Sequence, residues 1–260
     1  MAARTEPFEP QTEWLTIYEP RPRARLRLVC FPHAGSSAAA FAEWNRKVPH
    51  DIEVASVEYP GRGARRAERP FVRVRALVAA AFSGLRDALA EKPFALFGHS
   101  MGALIAFELA RQFQRFGDVR PAALLVAACR APGLPLLTAP VYQAPDAAFV
   151  AAVRALNGTD SAILDHPEFQ RLFLPVLRAD FEAAETYVRQ GRDQLALPLF
   201  VYGGSADPEV PVDDLHAWSA EATVGATVRV YPGDHFFLET SRDRLMSDIA
   251  ADVLSTRKIS

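Results

Sequence analysis

The sequence predicts an α/β fold in which helices cover both faces of a mostly parallel sheet. Short apolar runs typical of buried strands alternate with longer segments of helical periodicity through most of the chain. Half of the 260 residues are apolar, which is enough to bury one large core. These observations favour a single domain over residues 1–260, carrying one insertion, rather than two domains.

The predicted elements follow from apolar runs bounded by turn residues. Residues 1–24 are polar and rich in proline, and we expect one short edge strand there, near 14–18. The predicted central strands lie at 25–31, 53–57, 93–97, 122–128, 197–202 and 226–231. Helical periodicity predicts helices at about 38–47, at 72–90, after Gly102 and at 241–254.

A nucleophile-elbow pattern lies between a predicted strand and a predicted helix. It reads Gly98-x-Ser100-x-Gly102 and follows the apolar run at 93–97 directly. A sharp turn there exposes the serine Oγ above the sheet edge, and the two glycines let neighbouring main chain pass closely. The N-terminus of the next helix directs N–H groups at negative charge that forms nearby. The pattern therefore predicts the α/β-hydrolase fold, with Ser100 as the nucleophile.

The nucleophile needs a base, and the base needs an acid that orients it. In α/β-hydrolases the acid and then the histidine follow the serine along the chain. Asp207 and His235 satisfy this order, and each lies in a loop directly after a predicted strand. We therefore predict Ser100, Asp207 and His235 as the catalytic residues.

Other carboxylates and imidazoles fit these roles less well. Asp234 adjoins the predicted base, and this spacing gives poor geometry for a hydrogen bond to the imidazole. Asp213 and Asp214 fall at the start of a predicted helix and suit capping. His99 should point away from the neighbouring serine. The remaining histidines after the elbow, His166 and His216, lie in helical stretches.

Two backbone amides are predicted to form the oxyanion hole. In hydrolases of this design one N–H belongs to the residue after the nucleophile, and the other lies in the loop after an earlier strand. We therefore predict the Met101 and Ala34 amides as the two oxyanion-hole donors. Ala34 lies within the small-residue loop at 32–37. His33 in this loop is predicted to order it by hydrogen bonding rather than to act as the base.

The segment between the strands at 122–128 and 197–202 carries no strand signal. It is rich in alanine and leucine, with aromatic residues spaced through it, and predicts several short helices. Insertions at this place lie over the active site in the predicted fold. We therefore expect a helical lid at about 131–196, although ordinary packing helices would give the same pattern.

Composition argues against several classes of function. A formal net charge of −2 gives no global field suited to nucleic acid. Cys30 and Cys129 are predicted to be buried, inert thiols, and no Cys/His cluster has metal-ligand spacing. There is no run of 18 apolar residues, and the N-terminus lacks the apolar region of a signal peptide. We therefore expect a cytoplasmic protein that does not enter a membrane.

An arginine cluster follows the turn after the strand at 53–57. Its members are Arg62, Arg65, Arg66 and Arg69. One interpretation is a solvated basic loop. The other is a docking patch for an acidic partner or a phosphate. The sequence leaves both interpretations open.

Five motifs together resemble the type II thioesterases, the free-standing editing enzymes of polyketide and nonribosomal peptide assembly lines. They are LVCFPHAG at 28–35, YPGRG at 59–63, FGHSMGA at 97–103, LRADF at 177–181 and GDHFFL at 233–238. The resemblance runs from about residue 26 to residue 238. An acid after the strand at 197–202 also matches the type II arrangement. Ser36 departs from it, because the family commonly has a second glycine there.

The resemblance implies hydrolysis of stalled or aberrant acyl groups held as thioesters on the phosphopantetheine arm of a carrier protein. It implies no metal or organic cofactor, because the three catalytic side chains and two amides supply the chemistry. The arginine cluster and the lid become candidate contacts for an acidic carrier protein. We expect a monomer, because no feature of the sequence requires a larger assembly. The alternatives are a general carboxylesterase of the same fold and a non-catalytic binding protein.

Overall fold

A seven-stranded sheet forms the centre of the computed structural model, which describes residues 12–158 and 164–256. The strands are β1 (Leu15–Thr16), β2 (Leu26–Phe31), β3 (Ile52–Val57), β4 (Phe94–His99), β5 (Leu124–Ala127), β6 (Leu199–Gly204) and β7 (Ala226–Tyr231). Their order across the sheet is β1-β3-β2-β4-β5-β6-β7. The edge strand β1 pairs antiparallel with β3, and all the other neighbouring pairs of these strands are parallel. The predicted mostly parallel sheet is confirmed.

Helices follow each of the strands from β3 to β7 along the chain. They are α1 (Val74–Ala90), α2 (Met101–Phe116), α3 (Asp146–Ala155), α4 (Pro167–Glu185), α5 (Val212–Leu215), α6 (Phe237–Thr240) and α7 (Arg242–Ser255). Over the described ranges, 12–158 and 164–256, no helix combines the length and apolar character needed to cross a lipid bilayer.

The sheet is buried on both faces, as its continuous apolar strands require. Side chains alternate between the faces, so that Val29 and Leu96 belong to one apolar cluster while Leu28 and Phe97 belong to the other. The first cluster includes the apolar stripes of α1 and α2. The second includes that of α7. Helices therefore cover both faces, as predicted.

The segment predicted as one helix at 38–47 is instead two short 3₁₀-helices, Ala38–Phe41 and Trp44–Lys47. Phe41 ends the first of these helices and Trp44 begins the second, and their rings lie 4.8 Å apart, edge to face. Both rings also contact Phe97 of β4. Packing on the sheet therefore explains why this stretch departs from a continuous α-helix.

The insertion between β5 and β6 contains α3 and α4, and strand β6 begins only at Leu199. The residues described from 131 to 194 contribute no strand to the sheet. A separate apolar cluster joins the two helices through Phe149, Val153, Leu174 and Leu177. The helical character of this insertion agrees with the sequence, while its action as a lid stays a prediction.

We expect Phe97→Ala to lower the free energy of unfolding by about 3–5 kcal/mol, because it opens a cavity under β4 where two aromatic rings pack. Phe116→Ala is the matched control, since the Phe116 side chain is 64% exposed, and its effect should stay within about 0.5 kcal/mol. Urea denaturation measures both. Equal losses for the two variants would contradict the assigned core.

Candidate active site

The candidate active site lies at the edge of the sheet where four parallel strands end. Strands β2, β4, β6 and β7 point the same way, so the loops that follow them emerge on the same side. These loops carry Ala34, Ser100, Asp207 and His235 respectively. Strand direction alone therefore brings together residues that are far apart in the chain.

Ser100 occupies a strained turn between β4 and α2. Its backbone has φ 54° and ψ −121°, a conformation that non-glycine residues rarely adopt. A Cβ on Gly98 would lie 2.2 Å from the Gly102 carbonyl oxygen, and one on Gly102 would lie 2.1 Å from the Phe31 carbonyl oxygen. Both glycines are needed because main chain passes too close for a side chain. This is the close approach that the elbow pattern predicts.

The structure joins the three predicted side chains in one hydrogen-bonded series. His235 Nε2 lies 2.9 Å from Ser100 Oγ, and His235 Nδ1 lies 2.9 Å from Asp207 Oδ2. A carboxylate only accepts, so Nδ1 carries the proton and Nε2 of the neutral ring accepts from the serine hydroxyl. The other carboxylate oxygen of Asp207 accepts the Glu209 and Val210 N–H groups. Both carboxylate oxygens of Asp207 therefore have hydrogen-bond partners, which fix the orientation of this side chain.

The carboxylates that were alternatives to Asp207 have other partners. Asp234 accepts from the Phe236 amide at 2.9 Å and from the Asn157 side chain at 3.3 Å. Asp214 pairs with Arg130 at 2.7 Å. The helix-capping role expected for Asp213 and Asp214 is wrong, because the residue before α5 is Pro211 and no side-chain cap forms. Pro211 cannot supply one, since its side chain carries no acceptor.

The two residues predicted to supply the oxyanion donors, Ala34 and Met101, line the same cavity as Ser100 and His235. Met101 is the first residue of α2, where backbone N–H groups have no acceptor within the helix. Ala34 lies in the loop after β2, and its amide donates no hydrogen bond within the described ranges. Two unoccupied amides beside a serine hydroxyl can bind the oxygen of a tetrahedral intermediate.

A second series of hydrogen bonds connects three histidines. His99 Nε2 lies 3.0 Å from the His235 carbonyl oxygen, which only accepts, so this nitrogen carries the proton. His99 Nδ1 then accepts from His33 Nδ1 at 3.2 Å. His33 therefore orders its loop by hydrogen bonding, as predicted. The series ties the loops after β2 and β7 to the end of β4.

Burial keeps the two supporting histidines neutral. Burial lowers the pKa of His33 to about 4, and the nearby charge of His235 acts in the same direction. Burial also lowers the pKa of His99 well below its ordinary value, helped by His33 and His235. At neutral pH both rings are uncharged, so neither opposes a positive charge that develops on His235 during proton transfer.

The arginine cluster does not form one exposed surface. Arg62 and Arg65 are buried, each with 7% of its surface exposed, and pair with Asp180 and Glu68 respectively. Docking through these two arginines, which the sequence left open, is therefore wrong. Arg66 and Arg69 are exposed and remain available.

Sequence reasoning missed Asp180 as a member of the site. Its carboxylate accepts the Gly35 N–H at 2.7 Å, next to the predicted oxyanion amide of Ala34. The LRADF motif at 177–181 contains this residue, but the motif alone gives no partner. The partner comes from the loop after β2, far away in the chain.

An apolar cavity of about 250 Å³ opens beside Ser100. Helix α2 and the insertion supply most of its apolar wall: Leu104, Leu134, Leu136, Leu137, Val141, Ala152, Leu156, Phe181 and Ala184. Cys129 also lines the cavity, and burial raises the pKa of its thiol to about 12. Cys30 is fully buried, so both thiols are inert as expected. The cavity suits an apolar acyl chain.

The family model described as thioesterase domain matches residues 26–253. The chain belongs to the thioesterase family. This thioesterase is 38% identical to thioesterase PikA5 of Streptomyces venezuelae, over 94% of this chain and 86% of that protein. It is also 38% identical to gramicidin S biosynthesis protein GrsT of Aneurinibacillus migulanus, over 88% of this chain and 90% of that protein.

Solved structures give the same assignment. The RedJ thioesterase from the prodiginine biosynthetic pathway in Streptomyces coelicolor matches with a TM-score of 0.84 at 35% identity, over 97% of this thioesterase and 96% of that chain. The type II thioesterase BorB from the borrelidin biosynthetic cluster also matches with a TM-score of 0.84, at 36% identity, over 93% and 98% of the two chains. The predicted family, α/β-hydrolase fold and thioester hydrolysis are confirmed.

We expect His33 to make the thioesterase less stable in mild acid. The unfolded chain binds a proton at His33 near pH 6.5, whereas the folded chain does so only near pH 4, so stability is lost as pH falls through this interval. By pH 5 the loss attributable to His33 is about 1–2 kcal/mol. Urea denaturation at pH 7.5 and pH 5 measures it.

His33→Gln should lose less stability between the two pH values than the unsubstituted protein. His50→Gln is the control, because His50 is exposed, and it should show the same pH dependence as the unsubstituted protein. An unchanged pH dependence in His33→Gln would contradict the buried neutral state of this ring.

Proposed function

We propose that this thioesterase releases stalled or aberrant acyl groups from the phosphopantetheine arm of carrier proteins in polyketide or nonribosomal peptide synthesis. One observation carries the proposal: Ser100 Oγ is hydrogen-bonded to His235 and opens onto an apolar cavity. The names of the relatives support the setting, since they include a gramicidin S biosynthesis protein and a type II thioesterase of a borrelidin cluster.

In the first half of the reaction Ser100 Oγ attacks the thioester carbonyl carbon. His235 Nε2 takes the hydroxyl proton, and Asp207 stabilises the imidazolium through Nδ1–H. The carbonyl oxygen becomes an oxyanion, which the Ala34 and Met101 amides bind. When the carbon–sulfur bond breaks, the proton on Nε2 passes to the departing thiolate. The acyl group is then an ester of Ser100.

In the second half a water molecule replaces the thiol. His235 Nε2 removes a proton from the water as it attacks the ester carbonyl, and the same amides bind the second oxyanion. Collapse of this intermediate returns the proton to Ser100 Oγ and releases the carboxylic acid. The neutral state of His33 and His99 helps both halves, because His235 becomes positively charged in each.

The substrate side of the proposal follows from the cavity and its surroundings. Its apolar wall accepts the acyl chain, and the insertion that supplies much of the wall serves as the lid. Arg66 and Arg69 are exposed in the segment between β3 and α1, and of the arginine cluster these two are available to contact an acidic carrier protein. Action as a cytoplasmic monomer without a metal or cofactor completes the proposal.

We expect acetyl- or propionyl-loaded carrier protein to release free acid with this thioesterase, and Ser100→Ala to abolish the release. Removal of the nucleophile should lower kcat by at least about 10³-fold. Chromatography of the acid and mass spectrometry of the carrier measure both products. Faster cleavage of simple oxoesters than of the loaded carrier would favour a general carboxylesterase instead.

We also expect Ala184→Phe to shorten the range of acyl chains accepted. Ala184 of α4 lines the cavity, and a phenyl ring there occupies space that a longer acyl chain needs. Relative to acetyl thioester, kcat/KM for hexanoyl thioester should fall by about tenfold or more, since each buried methylene contributes about 0.8 kcal/mol. The acetyl substrate is the internal control. An unchanged ratio of the two kcat/KM values would place the acyl chain elsewhere.

A further inference from the structure

The loop that carries Ala34 is held at main-chain atoms on both sides of that residue. Three contacts with groups outside the loop hold it: the Tyr59 hydroxyl donates to the Pro32 carbonyl at 3.2 Å, the Gly35 N–H donates to Asp180 Oδ2 at 2.7 Å, and Arg62 Nη1 donates to the Ser36 carbonyl at 3.3 Å. Within the loop the Ser36 N–H donates to the His33 carbonyl at 3.1 Å. Together these contacts fix the peptide planes at and next to Ala34, so the direction of the Ala34 N–H depends in part on groups outside its own loop.

Two of these groups form a buried ion pair with each other. Arg62 Nη2 lies 2.8 Å from Asp180 Oδ1, and Arg62 Nη1 contacts Asp180 Oδ2, so the guanidinium binds both carboxylate oxygens. Arg62 is 7% exposed and Asp180 is 2% exposed. The guanidinium lies over the ring of Tyr59, 5.2 Å from its centre. A planar, bidentate pair of this kind has one defined geometry.

The pair connects three separate parts of the chain. Arg62 belongs to the YPGRG motif after β3, and Asp180 belongs to the LRADF motif of α4. Gly35 lets α4 approach the loop, because a Cβ there would lie 2.5 Å from Leu177 Cδ1, and its φ of +76° suits glycine. The close approach places Asp180 within reach of the Gly35 amide. The proposed mechanism leaves this pair without a role.

We propose that Arg62 and Asp180 are positioning residues for the oxyanion hole. Arg62 fixes the Asp180 carboxylate, Asp180 fixes the Gly35 peptide, and the Ala34 N–H is thereby aimed at the oxygen of the tetrahedral intermediate. The proposal rests on the oxyanion role of Ala34 in the proposed function. An amide displaced by a fraction of an ångström still admits substrate but binds the oxyanion poorly, so the pair should affect kcat far more than KM.

The test compares Asp180→Asn with the unsubstituted protein on a small acetyl thioester, which needs no carrier docking. Asparagine keeps the size of the side chain but removes the charge and one of the two acceptor oxygens. We expect kcat to fall by about 10- to 100-fold while KM changes by less than about threefold. Affinity for a trifluoromethyl ketone analogue, which forms a tetrahedral adduct with serine, should fall by a similar factor as kcat/KM.

Glu53→Gln is the matched control. Glu53 is also a buried carboxylate that binds an arginine, Arg27, and a backbone amide, that of Arg21. It lies near the start of β3, at the opposite end of the sheet from the active site. Glu53→Gln should lower thermal stability and leave kcat and the analogue affinity near their original values.

A second variant keeps the test decisive if Asp180→Asn does not fold. Arg62→Lys retains the positive charge but loses the two-pronged contact with Asp180. We expect kcat to fall by about 3- to 10-fold, again with a small change in KM. Circular dichroism and thermal unfolding establish that each variant is folded at the assay temperature.

Each result has one meaning. A selective loss of kcat and analogue affinity in Asp180→Asn or Arg62→Lys, absent from Glu53→Gln, supports the proposal. Loss of stability alone, with kcat and analogue affinity as in Glu53→Gln, overturns it and leaves the proposed function intact. If the unsubstituted protein shows no hydrolysis that depends on Ser100, the proposed function fails, and the positioning role fails with it.

Discussion

Main chain approaches main chain at the end of β4 with no space for a side chain. Gly98 faces the first turn of α2 there, and Gly102 faces the carbonyl groups at the end of β2. Because these contacts leave the turn almost no freedom, Ser100 keeps its strained backbone conformation. The same contacts bring the Met101 amide and the Ala34 loop to one side of the serine. These two glycine contacts thus position Ser100, the N-terminus of α2 and the loop after β2 relative to one another.

Buried polar groups then orient the side chains and loops that this packing of the backbone brings together. The histidine series and the Arg62–Asp180 pair differ in how they tolerate burial. His33 and His99 stay neutral because burial disfavours their charged forms. Burial opposes the charge of Arg62, but the hydrogen bonds and charge of Asp180 outweigh it and raise the Arg62 pKa. The site therefore contains fixed dipoles beside His235, the group whose charge changes in the proposed reaction, and a compensated ion pair against the loop that carries Ala34.

The sequence predicted those parts of the site that depend on local pattern. The elbow, Asp207 and His235 were found because each follows a strand, and parallel strands end at the same edge. The Arg62–Asp180 pair was not found, because no local pattern relates residues 118 positions apart. Its two motifs were noticed, yet each has its partner in another part of the chain. The prediction of one helix at 38–47 was wrong because it, too, depends on a distant contact. Packing of two aromatic rings on Phe97 outweighs the local preference for an α-helix.

Helix α4 is bound to two other parts of the chain, because Asp180 contacts both the Gly35 amide and Arg62. These contacts limit which segments can be exchanged between related thioesterases. The insertion supplies much of the cavity wall, which makes it the obvious segment to exchange for a new acyl preference. Helix α4 of the insertion, however, carries Asp180, which is the counter-ion of Arg62. Arg62 lies outside the insertion and would remain in the recipient protein. A transplanted insertion without a carboxylate at position 180 would leave Arg62 buried and uncompensated, at a cost of about 3–5 kcal/mol. Functional chimeras should therefore exchange the segment ahead of α4, or carry the acid with them.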